Sequence, residues 1–461
     1  MTTPRPSPGT LPDISFPAIP AATLANGLTV LTVTDHRLPR VSIKLALPAG
    51  RTSNPDDNGS LVELTAELLK EGAGNRSAVE AAAFMDRWAI DYDAQVMMEQ
   101  TVVSVTALGA HLGHALEFLA DVVLRPHLSG PELERLKTRL HGQLISQRSS
   151  ADFLASERLF LEFFGSDHPY RRVSFTAKEM AAAGRDAIVA CRDRVLQPSG
   201  ALLLMAGDIE QDQAVELAGR FFSEWPSGTS GRIDPPSPPP ASRRVVLVDR
   251  PHSQQARLAV GLAGLPRNHP DWHRLRLMNR VLGGGGSARL FLNLREDKGY
   301  TYGIYSYLRG FRTAGMLIAS SDLNSESVAA SIEEVFAEME RLADEPPGST
   351  ELERARSEIV GSMLRRLETA GSVGTLELSR RLFELDSDYY DRFVGELRAV
   401  TAADVQVMAS RILQPDNATI VAVGDRATLL PQLESLGPVS IVDQEGAPLE
   451  APGSETGGKD A

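Results

Sequence analysis

Cysteine is almost missing from this chain. Cys191 is the only one among 461 residues, so no intrachain disulfide can form and no thiolate-rich metal site can be built. Positive charge is also in short supply. Lys and Arg number 47 against 60 Asp and Glu, a net charge of −13, which excludes a nucleic-acid binder working by bulk charge and argues against an anionic membrane surface as partner. No apolar run approaches the ~20 residues of a membrane span; Ala201–Ala206 and Thr419–Val423 are strand-length. Met1 to Ile19 is rich in Pro, Ser and Thr and lacks the apolar stretch behind basic residues that marks a signal peptide. A cytoplasmic protein is the expectation. Short catalytic signatures are missing as well: there is no H-E-x-x-H, no G-x-S-x-G and no Walker loop.

What the chain does have is apolar residues at 42%, enough for a sizeable core, and an internal repeat. Trp225 to Arg244 reads WPSGTSGRIDPPSPPPASRR, whose six prolines fit an extended spacer and no helix interior. On either side the chain repeats itself. Arg194–Asp208 (RVLQPSGALLLMAGD) and Arg411–Asp425 (RILQPDNATIVAVGD) share seven of fifteen positions without a gap, at an offset of 217. ELER occurs at Glu132–Arg135 and again at Glu351–Arg354, and the strand-like segments ending at Asp35 and Asp249 also correspond. Three anchors in the same order at nearly one offset mean duplication.

Within each copy, alternation at Val41, Ile43, Leu45 and Leu47, and at Leu258, Val260 and Leu262, predicts strands with one buried face. Helical periodicity follows at 61–69, 113–123 and 132–146 in the first copy, and at 272–282, 327–343 and 351–367 in the second. Strands, then helices, then a strand predict an α+β fold of two homologous domains of ~200 residues, each a mainly antiparallel sheet with helices packed on one face. The expected boundaries are 20–224 and 244–440, joined by a Pro-rich linker at 225–243. A tail at 441–461, small-residue from Gly446 onward, has little to bury and reads as disordered.

Nine histidines make a metal site the first chemistry to test. His111 and His114 share a helix face at i, i+3, but no acid or third histidine stands near in sequence, so they read as structural. His269 and His273 flank a helix start and read as surface residues. His168, in Ser166-Asp167-His168-Pro169, reads as a turn residue. The run Gly283–Gly286 could bring backbone amides close to a ligand, but without Gly-Lys-Ser/Thr or G-x-G-x-x-G spacing it reads as a tight turn between helices beside a peptide groove.

The segment Leu282–Tyr305, LGGGGSARLFLNLREDKGYTYGIY, closely resembles the C-terminal-half signature of the pitrilysin/insulinase family of inverted-zincin metallopeptidases. The duplication and unit size agree, and the resemblance extends over residues 20–440. It implies that Arg295 and Tyr302 face a metal site and bind the substrate backbone. The residue types suit such a role, since a guanidinium offers a fork of donors to carbonyl oxygens and a phenol can donate to a developing oxyanion. On the residues alone, Arg295 could equally pair with Glu296 or Asp297, and alternation puts Tyr300 and Tyr302 on one side without choosing between them.

The first half departs from the family pattern. H-x-x-E-H belongs on the helix after Pro48-Ala49-Gly50-Arg51, where this chain has Glu63-Leu64-Thr65-Ala66-Glu67. Glutamates Glu63 and Glu67 stand where two imidazole ligands belong, and Ala66 replaces the glutamate that activates water. The third ligand position falls near Gln143 and Leu144, and no acid occurs between Arg139 and Ala151. Two carboxylates on one turn do not replace two histidines, and alanine takes no proton. Glu63, Glu67 and Glu71, at i, i+4 spacing, read as a solvated or peptide-facing acidic stripe.

The family includes two-chain enzymes in which one subunit holds the zinc motif and the other keeps only the Arg/Tyr pair. The resemblance therefore implies a non-catalytic, substrate-binding subunit with no cofactor or metal of its own. Zinc is expected in a homologous partner subunit, and unfolded peptides are the expected substrates. A peptidase-derived scaffold without proteolytic role is the alternative, and a hydrolase using Glu63 and Glu67 with a distant histidine is the weakest reading.

Overall fold

A computed structural model describes residues 12–240 and 242–450. Its first sheet contains β1 (Ala21–Thr23), β2 (Thr29–Thr34), β3 (Arg40–Leu47), β4 (Asp91–Val96), β5 (Thr101–Leu108) and β6 (Leu202–Gly207), in the spatial order β1-β2-β6-β3-β5-β4. The second contains β7 (Arg244–Asp249), β8 (Gln255–Ala263), β9 (Thr301–Gly310), β10 (Gly315–Asn324), β11 (Thr419–Gly424) and β12 (Val439–Val442), in the order β12-β7-β11-β8-β10-β9. The two orders coincide over five strands, so the sequence repeat is a repeat of topology. The duplicated Gln-Pro segments launch β6 and β11, each fully buried along its length, as a strand covered on both faces must be. Both pair in parallel with an opening strand, Leu202 opposite Thr29 and Thr419 opposite Arg244, while all pairings on their other side are antiparallel.

The sixth strand breaks the symmetry. β1 comes from the start of the first half and runs antiparallel to β2, whereas β12 comes from the end of the second half and runs parallel to β7. Ordered structure therefore continues past residue 440: Ile441 and Val442 are buried in β12. Residues 451–461, expected as disordered, lie outside the described residues, as do residues 1–11.

Each half packs its own helices on one sheet face. Helices Leu61–Leu68, Leu112–Leu124 and Gly130–Arg148 build the first core with Val41, Ile43, Leu45 and Val105. Helices Trp272–Leu282, Val328–Asp344 and Ser349–Arg366 build the second with Leu258, Val260 and Leu317. The other face of each sheet is covered by a helix lent from the opposite half. Helix Ala151–Phe164 lays Leu154, Leu159, Phe160 and Phe164 on Val246, Ile318 and Val421 of the second sheet. Helix Ala370–Leu382 lays Val373 and Leu378 on Leu31, Leu202 and Leu204 of the first.

The segment before β1 reaches across as well. Ile14 is buried in the second core, and the Phe16 N–H donates to Asp391 at 2.8 Å. Residues 226–240 carry neither helix nor strand. They are nonetheless tied down, since the Gly231 carbonyl accepts from Ser53 and the Pro236 carbonyl is bonded to the His168 ring. No helix among the described residues is long and apolar enough to cross a membrane.

Candidate functional site

Helix Leu61–Leu68 buries Leu61, Leu64, Thr65, Ala66 and Leu68, which leaves Glu63 and Glu67 one turn apart on its remaining face. Glu63 is not part of a solvated stripe, while Glu67 stays partly exposed. Arg51, in the short helical turn that follows β3, donates from Nε to Glu63 at 2.6 Å, and Asn54 Nδ2 lies 3.4 Å from the other oxygen. The Glu63 carboxyl is largely buried, and burial raises its pKa while Arg51 opposes the rise. Glu67 pairs at 2.9 Å with Arg139 from helix Gly130–Arg148. Ala66 is buried, and so is Leu144 in the region of the third ligand position, with Gln143 exposed beside it.

Zinc needs nitrogen, sulfur or carboxylate donors that converge on one point. Here each carboxylate is taken by a guanidinium, and alanine and leucine fill the remaining places. This donor set does not fit the ion. Among the described residues no group of three or more His, Cys, Asp or Glu is arranged to hold a metal.

Arg295 and Tyr302 lie in the other half. Arg295 sits in Leu292–Asp297, a turn wound as π-helix, with the Lys298 N–H bonded to the Asn293 carbonyl at 2.9 Å. Asn293 anchors the turn by donating to Glu334 and Glu338 of helix Val328–Asp344. The Arg295 guanidinium rests 4.8 Å from the Phe291 ring centroid and stays half-exposed; Glu296 approaches it only to 3.6 Å and is itself exposed.

The Tyr300 N–H donates to the Leu294 carbonyl, which joins this turn to β9, an edge strand. There the register with β10 slips between Ser321 and Leu323. Thr301 Oγ1 gathers the slip by donating to the Asp322 carbonyl at 2.6 Å and accepting from the Gly303 N–H and the Ser321 hydroxyl. Such a bulge re-aims a side chain. Ile304 and Ser306 point into the core, yet Tyr302 is 88% exposed, and Tyr305 and Tyr307 are also exposed along the strand. Phe291 touches both the Arg295 cation and the Tyr305 ring, so the turn and the edge strand share one support.

The glycine run is a turn between helices. Gly283 accepts from the Ser306 N–H at 2.8 Å, and a Cβ there would come within 2.6 Å of Ser306 Oγ. Gly283 is glycine because β9 lies directly against it.

The histidines singled out above have packing or hydrogen-bonding roles in the fold. His111 Nδ1 is bonded to the Trp88 carbonyl, His114 stacks on Trp88 with centroids 3.7 Å apart, and His168 holds the turn at Pro169–Arg171 through the Tyr170 N–H. His273 is not the surface residue that its place at a helix start suggests. It is buried against Tyr389 and Phe393, and burial, aided by Arg276 and Arg267, drives its pKa down to about 3, against the pull of the Glu396 carboxylate 3.3 Å from Nε2.

The model described as insulinase (peptidase family M16) matches residues 29–161, and that of the peptidase M16 inactive domain matches residues 182–359. This chain belongs to the pitrilysin/insulinase family. Relatives of similar length include YmxG of Bacillus subtilis, named an uncharacterized zinc protease, which is 24% identical over 86% of this chain and 96% of its own. An uncharacterized zinc protease of Rickettsia bellii is 22% identical over 87% and 96%. Among solved structures, a peptidase M16 inactive domain from Pseudomonas fluorescens superposes with a TM-score of 0.80 at 24% identity, covering 88% of this chain and 98% of that one. A protease from Helicobacter pylori gives 0.80 at 17% identity, covering 88% and 99%. The fold is that of the family's paired α+β domains.

Proposed function

We propose that this family member is the non-catalytic, substrate-binding subunit of a two-chain zinc metallopeptidase that cleaves peptides in an enclosed chamber. The observation that carries the reading is the contrast between the halves. Glu63 is buried against Arg51 and Glu67 is paired with Arg139, whereas Tyr302 stands 88% exposed beside a half-exposed Arg295. A phenol held out from a bulged edge strand has no packing role to explain it. Arg295 would fix the orientation of a peptide through its carbonyl oxygens, and the Tyr302 O–H would donate to the scissile carbonyl as negative charge develops there. The homologous partner would contribute the zinc and the base, which this chain's residues do not provide.

Tyr302→Phe removes one donor and no packing. In the two-chain enzyme it is expected to lower kcat about 100-fold with little change in KM, as loss of a donor used only in the transition state should. Arg295→Ala is expected to raise KM. If steady-state cleavage of a fluorogenic peptide is unchanged in both variants, the pair has no such role and the scaffold reading gains.

A further inference from the structure

In a chain where carboxylates outnumber cations, four arginines gathered in one region form no ion pair among the described residues: Arg267, Arg276, Arg309 and Arg366. Arg267 donates to the Tyr389 hydroxyl at 2.8 Å and lies over the Trp272 and Tyr389 rings, Arg276 over Phe393, and Arg309 over Tyr307. Burial, with Arg267 and Arg366 close by, brings Arg276 down to about 10. By contrast Arg392, on the neighbouring helix Tyr389–Ala399, is neutralised by Asp386, Asp388 and Glu396.

Arg267, Arg309 and Arg366 line a cavity of about 790 Å³ between the tips of the β4–β5 and β9–β10 hairpins, one from each half. Its apolar wall includes Phe160 and Phe383 as well as Trp272. Glu99 is the carboxylate in this wall, and it is already engaged by the Tyr170 hydroxyl and the Arg312 N–H. Arg51, also in the wall, is held by Glu63. The cavity thus combines guanidinium groups that have unused donors with aromatic side chains in its lining.

We infer that this cavity binds a peptide carboxylate, with the apolar side chains next to it packed against the aromatic residues of the lining. Forked guanidinium donors match a carboxylate, and the space is far larger than a free inorganic anion fills. The inference rests on the peptide-binding reading above and deepens it: acidic or C-terminal peptide segments are the ligands. A C-terminal carboxylate and an internal Glu side chain supply the same chemistry.

The test is calorimetric titration of the full chain with a Leu- and Phe-rich pentapeptide in three forms: free C-terminal carboxylate, C-terminal amide, and amide with one internal Glu. At least one charged form is expected to bind about tenfold more tightly than the neutral amide, and the form preferred identifies the source of the carboxylate. Arg309 and Arg366 are exposed, so Arg309→Gln with Arg366→Gln should leave the melting temperature and the amide's affinity unchanged while removing the difference. Equal binding of charged and neutral forms, or a preference that survives both substitutions, overturns the inference. So does the absence of binding by any form, whereas the peptide-handling role is judged separately by cleavage in the two-chain mixture.

Discussion

His273 illustrates how little a local sequence pattern says about an individual side chain. Its neighbours His269 and Pro270 mark a helix start, but the partners that bury it, Tyr389 and Phe393, lie more than 100 residues away. A histidine kept neutral in the fold, with its pKa near 3, opposes folding wherever the unfolded chain can protonate it. Stability should therefore fall by up to about 1.4 kcal/mol per pH unit, from this group alone, as pH drops from 6.5 toward 3. His273→Phe removes that dependence. Its stability relative to the parent chain should rise steadily between pH 6.5 and about 5 in urea titrations; a constant difference across that range would mean that the imidazole does not resist protonation. The same limit hid the partners of the two glutamates on helix Leu61–Leu68: Arg139, which pairs with Glu67, is 72 residues away.

At the scale of elements much was legible. The helices expected from periodicity appear within about two residues of their limits, as Leu61–Leu68, Leu112–Leu124, Gly130–Arg148, Trp272–Leu282, Val328–Asp344 and Ser349–Arg366. The duplicated Gln-Pro segments led to equivalent strands because both the turn and the apolar run are local. The exchange of helices was not legible. Helix Ala151–Phe164 has an apolar face that either sheet could cover, and nothing local names the sheet. The π-wound turn at Arg295 and the bulge at Tyr302 likewise follow from the packing of β9 against Gly283 and β10.

The exchange makes a sharp demand at Gly374, where a Cβ would come within 2.4 Å of the Leu204 side chain. Gly374→Val should wedge helix Ala370–Leu382 away from the first sheet and cost about 2 kcal/mol, as overpacking typically does. Urea denaturation with a local fluorescence label on that helix would measure it. An undiminished midpoint would show that the contact yields without cost.

At the scale of the molecule, two halves of one topology differ in what they expose. On helix Leu61–Leu68 of the first, Glu63 and Glu67 are paired with arginines, and the second holds out the turn at Arg295 and the edge strand at Tyr302. The exchanged helices and the segment before β1 join the halves through shared cores, so the two halves hold together as one body, and the proposed function needs that body to meet a second chain. Whether that surface completes an active site can be measured directly. Cleavage of a fluorogenic peptide would be followed for this chain alone, for a zinc-motif homologue from the same source alone, and for the two mixed at equal concentration. Division of labour predicts negligible cleavage by either chain alone and strong cleavage by the mixture. A mixture no faster than the zinc-motif chain alone, or cleavage by this chain without a partner, would contradict it.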